Sequence, residues 1–187
     1  MPSHPTRLAG LLPTLTAALL LSGCGVLIKP APPQPVVFMG REFQVTYPGA
    51  FRPVPPVNST VFMGKEALPT TVYDAGRLAP TVGYASILVS QLSPDLQRRY
   101  TSTQLLDLVI QQLKKRATIL SEDPLPQAGY VGKSLTVQAK QKGEAVYSRV
   151  DYIVAKDRLF QVTLSAKRPE LLKEEEYRSF FTSFTVK

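Results

Sequence analysis

Cysteine and histidine each occur once in these 187 residues, as Cys24 and His4. A long apolar run is missing as well: the uncharged stretch Leu8 to Leu21 has fourteen residues and contains Pro13, whereas a bilayer core needs about 20. These scarcities exclude specific chemistries. A single cysteine gives no disulfide within the chain, so the fold must be held by its core. The short apolar stretch is too brief for a permanent membrane helix and reads as a signal to be removed. His4 leaves with it, which excludes Ser-His-Asp and Cys-His nucleophile systems and zinc sites built on imidazole or thiolate. Acid-base work by a carboxylate pair and a Ser-Lys dyad stay open.

The beginning of the chain carries an address. Met1 to Arg7 is a weakly basic head, the apolar run follows, and Leu21-Ser22-Gly23-Cys24 closes it. Small Ser22 and Gly23 let an extended chain enter a peptidase site, Leu21 fills an apolar pocket, and the Cys24 thiol is a nucleophile that can carry a thioether-linked lipid. This resembles the bacterial lipobox at every position. The resemblance implies cleavage before Cys24, a diacylglyceryl group on its sulfur and further acylation, such as palmitate, on the new amine. Two or three chains anchor stably where one is marginal. The competing reading is an ordinary secreted protein with an incidental thiol. Gly25 follows the cysteine, where Asp would resemble an inner-membrane retention signal, so in a cell with two membranes the outer one is expected.

The expected organisation is a signal peptide over 1–23, a lipidated cysteine with a Pro-rich tether over 24–37, and one domain over 38–187. Pro30, Pro32, Pro33 and Pro35 favour an extended spacer over packed structure. From Cys24 to Lys187 there are 164 residues, a common size for one domain. Hydrophobic content of 44% with 19% charged residues is that of a globular protein. The formal charge of +8 becomes +7 without Arg7. A basic domain on an envelope is drawn to anionic lipid or cell-surface polymer, and export places it away from nucleic acid.

Alternation in Arg41 to Tyr47 puts Phe43, Val45 and Tyr47 on one side of a strand that Pro48-Gly49 ends. Thr60 to Ala67, Thr70 to Asp74 and Gly83 to Leu92 read as further strands. The near repeat Val37-Phe38-Met39-Gly40-Arg41-Glu42 and Val61-Phe62-Met63-Gly64-Lys65-Glu66 reads as two strand starts of similar composition or as a paired ligand-binding edge. Leu106, Val109, Ile110, Leu113 and Ala117 form one helical stripe, which predicts a helix from Thr103 to about Leu120 with Thr101 or Ser102 as cap. Lys114, Lys115 and Arg116 then sit late in that helix, a solvated end unless other basic groups converge there.

Lys133 to Ala166 predicts three antiparallel strands, with Leu135, Val137 and Ala139, then Val146, Val150, Tyr152 and Val154, then Phe160, Val162, Leu164 and Ala166 on one inward face. Gln141-Lys142-Gly143-Glu144 and Lys156-Asp157-Arg158 supply an even and an odd loop, so Val150 should stand opposite Leu135 and Leu164. Contacts between Tyr152 and Leu159 as same-face neighbours would refute this register. A last helix from Pro169 carries the apolar stripe Tyr177, Phe180, Phe181 and Phe184.

Several of these residues together are familiar. Tyr47-Pro48-Gly49 after a strand, a middle helix, Gly129-Tyr130-Val131-Gly132-Lys133, the strand Asp157-Arg158-Leu159-Phe160-Gln161-Val162 and the terminal Phe180-Phe181-Thr182-Ser183-Phe184 resemble the PsbP-like fold, over roughly residues 38 to 187. The resemblance implies an α+β single domain, an antiparallel β-sheet flanked by α-helices in an α/β/α sandwich. Relatives such as the extrinsic photosystem II protein and DcrB-like lipoproteins imply a non-catalytic binding or accessory module with an envelope protein as partner. No family ligand residues carry over, and no cofactor or metal is expected.

Gly132-Lys133-Ser134 ends like a phosphate-binding loop, but Gln127 stands where the pattern needs glycine and Leu135 to Ala139 alternates as a strand. The outward face of the three-stranded meander is a candidate site, with Thr136, Arg149 and Ser165 in one row and Ser134, Asp151 and Thr163 beside them. Its plain alternatives are a solvated face or a salt-bridged pair under a helix. Lys140, Lys142, Lys167 and Arg168 gather at one end of the sheet and are the candidate surface for anionic partners.

Overall fold

A computed structural model describes residues 33–77, 83–125 and 129–187. The expectations for the signal segment, the lipobox residues Leu21, Ser22, Gly23 and Cys24, and the tether as far as Pro32 lie outside the described residues. In chain order the strands are β1 (Val36–Met39), β2 (Phe43–Tyr47), β3 (Phe51–Pro53), β4 (Val57–Met63), β5 (Glu66–Arg77) and β6 (Ala85–Gln91). Helices α1 (Pro94–Arg99) and α2 (Ser102–Lys114) follow, then β7 (Thr118–Pro124), β8 (Val131–Gln141), β9 (Glu144–Ala155) and β10 (Arg158–Ala166). A 3₁₀ turn (Pro169–Lys173), α3 (Glu175–Thr182) and β11 (Thr185–Val186) close the chain. Val36 and Val37 belong to β1, next to the expected start of the domain at residue 38.

All strand pairs are antiparallel. The large sheet runs β3-β5-β6-β10-β9-β8-β7, with β4 also on β5, and β1-β2-β11 form a small second sheet. Each face of the large sheet is buried. On one face Ile87, Ile153, Phe160, Val162 and Leu164 pack with Phe43, Val45 and Tyr47 of the small sheet and with Tyr177, Phe180, Phe181 and Phe184. On the other, Leu135, Val150, Tyr152, Val154 and Leu159 pack with Leu96 of α1 and Leu105, Leu106 and Ile110 of α2. A helical layer of α1 and α2 on one side, and α3 with the small sheet on the other, therefore enclose the large antiparallel sheet, an α+β sandwich as the sequence predicts.

Local chemistry sets the ends of the elements. Thr101 and Gln104 form the expected capping box, with Gln104 N–H donating to Thr101 Oγ1 at 3.3 Å and Thr101 N–H donating to Gln104 Oε1 at 2.8 Å. The helix stops at Lys114 rather than near Leu120. Thr118 and Ile119 instead pair with Gln138 and Val137 of β8, where β-branched side chains fit a pleated edge better than a helix. The strand expected from Thr60 to Ala67 is broken by a two-residue turn at Gly64 and Lys65, because Gly64 takes φ 67° between the paired Met63 and Glu66. Both copies of the near repeat are thus strand ends that run into a turn, β1 into β2 and β4 into β5, in separate sheets. The last helix is divided, since Glu174 is extended (φ −63°, ψ 142°) between the 3₁₀ turn and α3.

The meander register is half as predicted. Leu135 faces Val150 and Thr136 faces Arg149. Across the next turn, however, Val150 faces Thr163 and Leu164 faces Arg149. Lys156 and Asp157 make a two-residue loop, with Lys156 at φ 55°, between the paired Ala155 and Arg158. The one-residue slip puts Leu159 on the face of Tyr152 and Val154, and Phe160, Val162 and Leu164 on the face of Ile153. The predicted β9–β10 register is therefore corrected: with both faces of the sheet buried, alternation cannot say which apolar set of β9 joins which set of β10.

Candidate functional site

The row Thr136, Arg149, Asp151 is not an open face. Asp151 is 2% exposed and lies on the α3 side of the sheet. Its Oδ1 accepts from Ser134 Oγ at 2.6 Å and from Arg149 Nε at 3.0 Å, and its Oδ2 accepts from Arg149 Nη2 at 3.0 Å. The guanidinium carbon of Arg149 stands 4.2 Å from the centre of the Phe181 ring, a cation–π contact. Ser165, expected beside Thr136 and Arg149, instead faces Ser148, with the two hydroxyls 2.7 Å apart. This is a charge pair held under a helix, and both carboxylate oxygens of Asp151 are already partnered. Thr70 and Ser90 do the same on the far side of β6, at 2.8 Å.

Lys133 sits in β8, which disposes of the phosphate-loop reading, and it bridges two elements. Its Nζ donates to Asp107 of α2 at 3.0 Å and to Glu122 of β7 at 2.8 Å. The bond to Glu122 raises the Lys133 amine above its ordinary value, and the same bond holds the Glu122 carboxyl below its own. Ion pairs of Arg99 with Glu66 at 2.6 Å and Asp95 at 2.8 Å likewise border a hollow of about 300 Å³ between α1, α2 and the β4–β5 turn.

The cations behave differently. The β8–β9 turn and the end of β10 carry Lys140, Lys142, Lys167 and Arg168 to one end of the large sheet, all exposed. Lys142 and Gly143, at φ 53° and 84°, form that turn between the paired Gln141 and Glu144. Lys167 pairs with Glu144 at 3.0 Å. Three further cations, Lys114, Lys115 and Arg116, expected late in a longer helix, join this group. Because α2 ends at Lys114 and the chain turns directly into β7 beside β8, Lys114, Lys115, Arg116 and Lys140 line one open depression of about 490 Å³. Lys114 reaches Glu122 at 3.6 Å. Among the described residues, Lys115, Arg116, Lys140, Lys142 and Arg168 form no ion pair. The condition for reading the helix end as a binding patch, convergence with other basic groups, is met by Lys140.

No protein-family model matches the sequence, and no curated protein matches it. Among solved structures, the fold is similar to the solution structure of cyanobacterial PsbP (CyanoP) from Synechocystis sp. PCC 6803, with a TM-score of 0.54 and 16% identity over 89% of this chain and 99% of that chain. The crystal structure of PA94, a protein of unknown function from Pseudomonas aeruginosa, aligns with a TM-score of 0.40 and 14% identity over 74% of this chain and 86% of that one. The likeness to CyanoP is one of fold: an antiparallel sheet with a few helices in a single domain.

Proposed function

We propose that this chain is a lipid-anchored bacterial lipoprotein, attached through Cys24, whose domain is a non-catalytic binding or accessory module of the cell envelope, on the outer membrane where the cell has two. The observation that carries the reading is Leu21-Ser22-Gly23-Cys24 at the end of a fourteen-residue apolar run, a few prolines before a folded domain. The domain lends support, because the buried polar groups described above are hydrogen-bonded to one another. Asp151 is tied to Arg149 and Ser134, and Ser148 to Ser165. Groups so arranged hold a fold together rather than face a substrate.

Replacing Cys24 by Ser tests the anchor. The variant accumulates as unprocessed precursor and takes up no lipid label in cells, while the parent fractionates with membrane. A variant still cut before residue 24 and still membrane-bound contradicts the reading. Crosslinking the lipidated protein in its own membrane tests the accessory role, with recovery of one discrete envelope protein as the expected outcome.

A further inference from the structure

We propose that the basic end of the large sheet is a docking surface for anionic phospholipid headgroups in the leaflet that holds Cys24. The proposal rests on the lipoprotein reading above for where the protein sits, and on three structural observations for the surface itself.

The first is uncompensated charge. Lys115, Arg116, Lys140, Lys142 and Arg168 are exposed and form no ion pair among the described residues, while Lys114 and Lys167 each have one carboxylate partner. Like charges gathered this closely repel one another, and a layer of headgroup phosphates relieves that repulsion. The depression between Lys114, Lys115, Arg116 and Lys140 is polar and also lined by Thr118 and Gln138.

The second is where the chain leaves the domain. Pro33, the first described residue, lies with its carbonyl directly over Gly49, next to the turn closed by Phe51 N–H donating to Pro48 O at 2.8 Å. Phe51 pairs with Arg77. The register then runs Ala75, Ala85, Leu164, Arg149, Thr136 across the sheet. Arg77 lies two residues past that row, on the side of Ala166, Tyr147, Gln138 and Thr118. The tether thus leaves from the same strand ends that carry the cations. Eight residues lie between Cys24 and Pro33, and the nine steps of chain reach at most about 30 Å. The five strand steps from β3 to β8 span about 24 Å at about 4.8 Å each. The lipid can therefore lie in the plane of the basic rim, where the tether gives the membrane a high effective concentration.

The third is a charge imbalance across the sheet. Glu174, Glu175 and Glu176 are exposed at the start of α3 on one face, only partly offset by the exposed Lys173 and Arg178 beside them, whereas Lys114, Lys115 and Arg116 end α2 on the other. An anionic surface attracts the α2 side and repels the α3 side, which orients the domain.

The test is a footprint on the full lipidated protein in vesicles of phosphatidylcholine alone or with phosphatidylglycerol. Exposed amines are acylated with a soluble reagent, and the sites are read by mass spectrometry. Lys115, Lys140 and Lys142 are expected to react about fivefold or more slowly on the anionic vesicles. The protection should be present at about 0.1 M salt and gone at about 1 M. Lys156, on the turn at the opposite strand ends, should react equally on both vesicles. Equal labelling of the basic rim on both vesicles, or equal protection of Lys156, overturns the proposal. Protection by a soluble anionic glycan with none on anionic vesicles also overturns it, in favour of a polymer ligand. Failure of the anchor is read separately, as an intact mass without lipid on Cys24. The rim is then tested by cosedimentation of the unlipidated Cys24→Ser chain with phosphatidylglycerol vesicles. There Lys115→Ala with Lys140→Ala should weaken binding about 25-fold and leave the thermal melt unchanged, and unchanged binding overturns the proposal.

Discussion

Removing the Asp151 carboxylate leaves the Arg149 guanidinium against Phe181 without its counter-charge, and Ser134 without its acceptor. Asp151→Ala should therefore lower the free energy of unfolding by about 3 kcal/mol, the lower end for a broken buried pair because Arg149 is partly solvated. Ser134→Ala should cost about 1 kcal/mol. Urea unfolding measures both, and a loss below about 1 kcal/mol for Asp151→Ala would mean the pair behaves as an exposed one. The same pair decides between the readings of the candidate face. Arg149 and Asp151 alternate with Val150 and Tyr152, a pattern shared by a solvated face and by a salt-bridged pair under a helix, and the tertiary structure shows the second.

Tyrosine burial gives the pH prediction at this scale. Burial raises the ionisation of the Tyr152 and Tyr47 hydroxyls well above the ordinary 10.0. The unfolded chain loses these protons first, so stability is fully present below pH 10.0 and falls as pH rises towards the folded values. The slope is about 1.4 kcal/mol per pH unit for each tyrosine. Ultraviolet titration should leave these two tyrosines neutral in the folded protein at pH values where the unfolded chain has lost its phenolic protons, and their titration near 10.0 in the folded state would contradict the packing.

At the scale of elements, the caps and turns are the sensitive points. Thr101→Ala removes the cap of α2 and should cost about 1 kcal/mol. Lys156 stands at φ 55° in the β9–β10 turn, a conformation that glycine adopts without Cβ crowding, so Lys156→Gly should stabilise by about 0.5–1 kcal/mol. A destabilised variant would argue against the two-residue turn, and with it the observed register. The strand β2, the helix stripe of α2 and the β8–β9 hairpin were legible because each has a regular apolar period and a recognisable end. The β9–β10 register was not, since Ile153 and Ala155 are as apolar as Tyr152 and Val154 and both sets are buried. The end of α2 was illegible for a related reason: Ala117 continues the apolar stripe of the helix, and pairing of β7 with β8 decides otherwise.

On the scale of the whole molecule, the basic rim and the departing chain lie at the same strand ends. The sheet, enclosed by helices, holds its polar interior closed, and its strand ends gather the cations where the chain departs towards Cys24. The basic end could not be assembled from sequence alone, because Lys114, Lys115 and Arg116 lie more than twenty residues from Lys140 and meet it only through the β7–β8 pairing. The proposed lipobox, in contrast, is a local pattern of four residues, Leu21 to Cys24, read from the sequence alone. The most direct measurement is therefore the intact mass and amino-terminal peptide of the protein taken from the membrane of cells that make it. The account predicts a chain beginning at Cys24 with a diacylglyceryl group on its sulfur. A chain beginning elsewhere, or carrying a free Cys24 thiol, would contradict it.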